Sequence, residues 1–132
     1  MEIIYTDQDR PTTEEIIDLY LSAGLKRPVE DSERIARMYA NSNLIVTARM
    51  NGQLIGVSRA LTDHGFCCYL SDLAVRKEFQ SAGIGKQLIS LTKKLVGDQC
   101  MLLLLAAANA IEYYPKIGME AVDNGFIIKR SI

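Results

Sequence analysis

The chain has 132 residues, 48% apolar and 23% charged, a length and composition that bury a core without metal or disulfide help and suit one domain. Its formal net charge of −1 lacks the basic excess of a nucleic-acid binder. Three cysteines and one histidine leave no spaced zinc-ligand set, and no apolar run nears the roughly 18 residues of a membrane span.

The start, MEIIYTDQDR, has no charged segment leading into an apolar one, so no signal peptide is expected and a cytoplasmic protein is. A first strand is predicted over 1–5. In PTTEEIIDLYLSAG, Thr12 and Glu15 have capping-box spacing, Ile16, Leu19 and Tyr20 share a helical face, and Gly24 is a natural stop. A second helix is predicted over 32–40, with Ile35, Met38 and Tyr39 inward. NLIVTARM and QLIGVSRAL flank Asn51-Gly52, a pair that tolerates the positive φ of a tight hairpin. TDHG at 62–65 is a second turn holding His64, and FCCYLSDLAV is a third strand, which completes an antiparallel meander. Ile84, Leu88, Leu91 and Leu95 then mark one stripe of an amphipathic helix, closed by Gly97-Asp98. CMLLLLA has no alternation, the pattern of a strand buried on both faces, and strand, helix, strand here implies a parallel pair with a right-handed crossover. Asn109 is placed to cap a short helix reaching Ile117 and ended by Gly118. Two last strands are predicted near 120–122 and 126–130, and the three cysteines read as buried thiols.

The chemistry points to the helix that opens at residue 84. A helix N-terminus offers unpaired N–H groups and partial positive charge, and Gly83 and Gly85 remove side chains that would block a phosphate there. Glycine before a helix also serves as a plain turn, and both readings fit the residues. A P-loop is excluded, since its first glycine position holds Gln80 and its last position Gln87. A dinucleotide fingerprint is excluded by Leu88 at its third glycine position.

LSDLAVRKEFQSAGIGKQLI closely resembles the central motif of the GNAT family, the Gcn5-related N-acetyltransferases: an apolar-Ala-Val strand end, then Gln/Arg-x-x-Gly-x-Gly/Ala opening a helix, here on Gln80, Gly83 and Gly85. NAIEYYPKIGM resembles the family's second signature at Ala110, Tyr113, Tyr114 and Gly118, with Met119 in place of the usual aromatic. The resemblance implies one α/β N-acetyltransferase domain over 1–132, a mixed, twisted sheet with helices on both faces, and acetyl-CoA as cofactor. The pyrophosphate would meet the loop formed by Gln80, Ser81, Ala82, Gly83, Ile84, Gly85 and Lys86, although Lys86 also suits a solvated helix face. The pantetheine arm would pair with Leu73, Ala74 and Val75 in a gap between two splayed strands, and Asn109 would contact the arm, cap a helix, or both. Tyr114 is the expected hydrogen-bond donor to the leaving sulfur, with Tyr113 in the core; Pro115, inside the short helix, threatens that aim. Asp72 is the candidate base for the amine, against a structural hydrogen bond as its other reading. Tyr5, Tyr20 and Tyr39 line an acceptor cleft or simply pack. The acceptor is a small-molecule or peptide amine, since the mixed charges of residues 23–43 select neither. A homodimer is a family-level expectation, with no nucleic acid or membrane partner. A non-catalytic acyl-CoA sensor on the same fold and an adaptor whose glycine loop is only a turn are the rival readings.

Overall fold

Strand alternation, helical spacing and turn residues assemble the chain in the expected order, and the computed structural model describes residues 2–132, so that Met1 of the first expected strand lies outside the described residues. The elements are β1 (Ile3–Thr6), α1 (Thr13–Ala23), α2 (Ser32–Ala40), β2 (Leu44–Met50), β3 (Gln53–Thr62), β4 (Cys67–Val75), α3 (Ile84–Val96), β5 (Met101–Leu103) and α4 (Tyr113–Lys116). Single turns of 3-10 helix cover Lys77–Phe79 and Ala108–Ala110. The strands lie in the order β1-β2-β3-β4-β5, antiparallel except for the parallel pair β4 and β5. Asn51 and Gly52 both have positive φ, 51° and 80°, and turn β2 into β3.

Helices cover both faces. α3 sets Ile84, Leu88 and Val96 against Val46, Ile55 and Cys68. On the opposite face, α1 and α2 set Ile16, Leu19, Tyr20 and Ile35 against Ile45, Val57 and Ala74. A bulge lets β4 serve both sides. Its register slips between Asp72, opposite Arg59, and Leu70, opposite Ala60, which leaves Ser71 as the extra residue. Cys68 therefore packs on the α3 side while Ala74, six residues on, packs under α1 and α2.

Five expectations are corrected. The buried stripe of α3 runs Ile84, Leu88, Thr92 and Val96, and Leu95 is 42% exposed. Thr92 enters the core because its hydroxyl is satisfied there, within 2.8 Å of Ser58 Oγ and 2.7 Å of Leu88 O. β5, the outer strand of the sheet, is not buried on both faces: Met101 is 55% exposed, and Leu102 and Leu103 are only partly buried. Asn109 sits in the middle of a 3-10 turn and caps no helix reaching Ile117. Cys67 is exposed, because it lies at the start of β4 beside that edge, while Cys68 and Cys100 are buried. Residues 120–132 form no strand; they are exposed throughout and make no ladder with β5 or any other strand.

Candidate active site

Two of the three long helices have a side chain over the first turn. Thr12 Oγ1 accepts from the Glu15 amide at 3.1 Å, and Asp31 Oδ1 accepts from the Arg34 amide at 3.1 Å. α3 has no such cap: its N-cap is Gly83, at φ +83°, and no side chain bonds there. The first backbone bond onto that residue comes from the Gln87 amide at 3.0 Å, so the amides of Ile84, Gly85 and Lys86 point out of the helix end. Ser81, at φ +70°, adds a second left-handed residue and curls the loop. A Cβ on Gly83 would meet nothing within 4 Å, so no side chain crowds that position. Gly85 has a different neighbour: its Cβ would stand 3.2 Å from Tyr113 Oη. Gln80 braces the loop from behind, donating to Val75 O at 2.9 Å and Ala23 O at 3.4 Å. Lys86 is exposed on the first turn of α3.

A gap leads to this helix end. β5 pairs with β4 only from Cys67 to Tyr69, yet β4 runs on to Val75. Leu73, Ala74 and Val75 pair inward with Ser58, Val57 and Gly56 of β3, and their other edge carries no strand among the described residues. Successive peptide groups alternate direction along a strand, so that edge presents backbone donors and acceptors to the gap. The second signature arrives from the far side. Tyr113 and Tyr114 meet edge-on, ring centres 5.2 Å apart, and Tyr113 is 38% exposed with its hydroxyl at Gly85 rather than in the core. Tyr114 is half-buried; burial, then the neighbouring Tyr113, pushes its phenol above the ordinary value. Pro115 is the third residue of α4, in a first turn whose N–H groups have no helical partner, so it breaks nothing. Tyr114 O accepts from Ile117 N at 3.2 Å and Met119 N at 3.1 Å, which fixes its backbone. Asn109 is exposed on the turn before α4.

Asp72 lies one residue before the gap segment, and its side chain, 0% exposed, faces Tyr20 of α1 and Arg27. Its Oδ1 accepts from Arg27 Nε at 2.8 Å, Arg59 Nη2 at 3.1 Å and Ser71 Oγ at 3.1 Å. Its Oδ2 accepts from Tyr20 at 2.6 Å and Arg59 Nε at 2.9 Å. The Tyr20 hydroxyl, whose hydrogen points at Asp72, accepts from Tyr39 at 2.5 Å. Arg27 also donates to Ser71 O at 2.7 Å, which ties the α1–α2 connection to β4. Burial pushes the Asp72 carboxyl up, but Arg59 and Arg27 more than offset it and hold the group below the usual range. Burial first, then the nearby Tyr39 and Asp72 charges, pushes Tyr20 well above its ordinary value. Five donors saturate about four lone-pair directions. The carboxylate that the sequence offers as a base therefore has no free face for an amine.

The sequence reading missed the partners of that carboxylate, Arg27 and Arg59, and left Tyr20 and Tyr39 as packing or cleft residues. One signal was present: Arg59 and Asp72 are lone charges inside apolar strands, and a buried charge of one sign calls for the other.

Comparison with known proteins follows this geometry. A family model described as an acetyltransferase (GNAT) domain matches residues 12–129. The GCN5-related N-acetyltransferase 2, chloroplastic, of Arabidopsis thaliana is 32% identical over 78 residues, which are 55% of this chain and 29% of that protein. The chain thus spans under a third of the length of that plant relative. Protein SA2161 of Staphylococcus aureus is 25% identical and superposes with a TM-score of 0.81, over 98% of this chain and 100% of that one. AAC(6')-Iy, solved with the bisubstrate analogue CoA-S-monomethyl-acetylneamine, shares the fold at a TM-score of 0.73 and 14% identity, over 100% of both chains.

Proposed function

This chain belongs to the GNAT family of acetyltransferases, and we propose that it passes acetyl from acetyl-CoA straight to a primary amine held in the same complex, without an acetyl-enzyme intermediate. The observation that carries this reading is the bare start of α3, where Gly83 leaves three outward amides without a side-chain cap while α1 and α2 cap theirs with Thr12 and Asp31. A diphosphate needs backbone donors, partial positive charge and room to approach; this helix end offers the first two, and Gly83 adds no side chain of its own.

Bound acetyl-CoA supplies the activated thioester; the chain supplies the rest. The loop of Gln80, Ser81, Ala82, Gly83, Ile84, Gly85 and Lys86 holds the diphosphate. The open edge of Leu73, Ala74 and Val75 pairs with the pantetheine, and an outward amide there faces the thioester oxygen as charge grows on it. Asn109 contacts the arm from the turn before α4. Tyr114 donates a hydrogen bond to the departing sulfur. Full proton transfer from a phenol near 10 to a thiolate near 8.5 costs about 2 kcal/mol, and the raised Tyr114 value adds to that, so the hydrogen bond is the main contribution. An alkyl amine near 10.4 is neutral only about once in a few thousand molecules at pH 7, so its proton must leave. Asp72 is saturated, so solvent water takes the proton, and Asp72 is a positioning residue that holds β4 against the α1–α2 connection.

The acceptor is a small-molecule amine in this reading. The AAC(6')-Iy complex, whose ligand joins CoA to acetylneamine, supports that class at the level of the fold. The test is calorimetric titration with acetyl-CoA together with a thiol-release assay over small amines and peptide amines. Binding with thiol release on small amines is expected. Binding without release across the whole library favours an acyl-CoA sensor, and no binding at hundreds of micromolar defeats the reading.

A further inference from the structure

The two glycines at the start of α3 are bare for different reasons. Gly83 has a positive φ, and a Cβ there would meet nothing within 4 Å. Gly85 is the second residue of α3 and has no positive φ, so alanine would suit its backbone and is the better helix former. The space around it is what alanine would not suit. A Cβ at residue 85 would stand 3.2 Å from Tyr113 Oη, 3.8 Å from Leu73 Cδ2 and 3.8 Å from Val75 Cγ2. The last two are ordinary contacts. The first is tight, and the phenol would have to give by a few tenths of an ångström. The missing side chain therefore points at protein, into the angle between α3, the end of β4 and α4, and a tyrosine hydroxyl fills that angle. Leu73 and Val75 pack on the α3-side core, so the yielding partner is Tyr113, which is 38% exposed. Tyr113 in turn meets Tyr114 edge-on, with ring centres 5.2 Å apart and planes at 76°.

We propose that Tyr113 is a positioning residue for acetyl transfer: its hydroxyl stands against the bare Cα of Gly85 and so registers Tyr114, on α4, against the amide loop at the start of α3. The proposal rests on the function above, in which that loop holds the diphosphate and Tyr114 donates to the departing sulfur. Diphosphate and sulfur lie at opposite ends of one cofactor arm, so the span from the helix start to the Tyr114 hydroxyl has to match that arm. The contact of Tyr113 with Gly85 braces the two elements that set this span. Gly85 and Tyr113 are thus a matched pair. Residue 85 is a glycine to admit a phenol, while the diphosphate meets its amide from the helix end, on a side that the absent Cβ does not face. Phenylalanine at 113 would leave room for alanine at 85. Making both changes replaces an oxygen by a methyl across one contact, at nearly constant volume.

The test is the double-variant cycle of Gly85→Ala and Tyr113→Phe on the full chain, read first without ligand. Carbon-13 at Cζ gives one NMR signal for each of the six tyrosines, and the Tyr113→Phe and Tyr114→Phe variants assign two of them. Gly85→Ala should move both of those signals and leave the rest; with Phe at 113 it should leave the Tyr114 signal nearly unmoved. Thiol release and calorimetry with acetyl-CoA follow. Gly85→Ala should lower kcat about threefold to tenfold, since a misplacement of about 1 Å costs on the order of 100-fold, and should raise Kd by a smaller factor. Adding Tyr113→Phe should recover most of the lost kcat, a coupling that two independent sites would not show. Three results overturn the proposal: Tyr113 and Tyr114 signals that Gly85→Ala leaves in place; effects on kcat that simply multiply; or a rise in Kd of about tenfold that is the same with Tyr or Phe at 113, which would mean that residue 85 is bare for the diphosphate. Absence of acetyl-CoA binding in the wild type defeats the function itself and the positioning role with it, and is told apart by the NMR cycle, which reads the Gly85–Tyr113 contact without ligand. Should Gly85→Ala fail to fold, the double variant should fold, and its failure as well overturns the pairing.

Discussion

Replacing Asp72 by Asn separates a positioning carboxylate from a catalytic base. The change keeps the shape and removes the charge. It also turns an amide N–H₂ toward donors, so Arg59, whose side chain is 9% exposed, loses its counter-charge in a place where water cannot supply one. Breaking a buried pair by removing one partner costs about 3–5 kcal/mol. Arg27, at 28% side-chain exposure, is partly solvated and adds little more. For a chain of this length each kcal/mol moves the midpoint by about 3–5 °C, so the melt should fall by roughly 9–25 °C. Differential scanning calorimetry at pH 7 reads this directly, and acetyl-CoA affinity, set by the α3 start, should stay within about threefold at a temperature where the variant is folded. The double variant with Arg59→Gln should lose about 1–3 kcal/mol less than the sum of the two single variants. A melt within about 2 °C of wild type combined with a large loss of turnover would refute the reasoning, because the carboxylate would then be acting on the amine and not on its arginines.

Other expectations follow from the same geometry. Gly83→Val places a β-branched residue at φ +83°, which costs about 1–2 kcal/mol in stability, and adds a side chain at the uncapped start of α3; calorimetry should show no acetyl-CoA binding. Tyr114→Phe should lower turnover by about 10- to 100-fold with cofactor affinity nearly intact, whereas equal loss of both would mean that the ring only packs. Acid should destabilise the protein in a defined window. Glu15, hydrogen-bonded to Arg49 and Thr12, is depressed from 4.5 to about 2, so its contribution is complete above about pH 4.5 and is lost as pH falls toward 2. Asp72 is depressed as well and acts in the same direction. Urea melts from pH 7 to pH 2 should therefore be flat at the top and fall below about pH 4.5, with a shallower limb for Glu15→Gln.

Local chemistry was legible wherever a few adjacent residues settle the outcome. The capping box of Thr12 and Glu15, the Asn51-Gly52 turn and the left-handed Gly83 each act within four residues, and each appears as its spacing implies. What depended on distant partners was not legible. Nothing near Ser71 marks it as the bulge, because the slip is settled by how β3 and β4 fit together. Thr92 breaks the expected apolar stripe of α3 because its partner, Ser58, lies 34 residues away. The place of β5 as an edge depends on what residues 120–132 do, and their strand-like composition forms no ladder within the described chain. For the site, the bare start of α3 was visible because the glycine spacing that produces it is local. The role of Asp72 was not, since it rests on Arg27, 45 residues earlier, and on Tyr20, 52 residues earlier.

The bulge at Ser71 makes these features parts of one design. Without it, strict alternation would turn Asp72 and Ala74 to the α3 side, as Cys68 is, and set a carboxylate against Leu88 and Val96. With it, Asp72 meets Arg59, Arg27 and Tyr20 under α1, and Leu73 and Val75 turn toward the α3 side, where both pack on the core. Gln80 then anchors the loop to Val75 O, the last residue of the same strand. Neighbouring residues of β4 thus carry the anchor to the acceptor-side helices, the free edge on the gap and the brace of the amide loop. A shift of the Arg27 connection would be transmitted along β4, through Asp72 and Val75, to the start of α3. In the proposed function, an acceptor beside α1 and α2 and a cofactor at Gly83 are linked by one strand, and Arg27→Met should change the KM for the amine more than the Kd for acetyl-CoA, because Arg27 lies at the far end of that link.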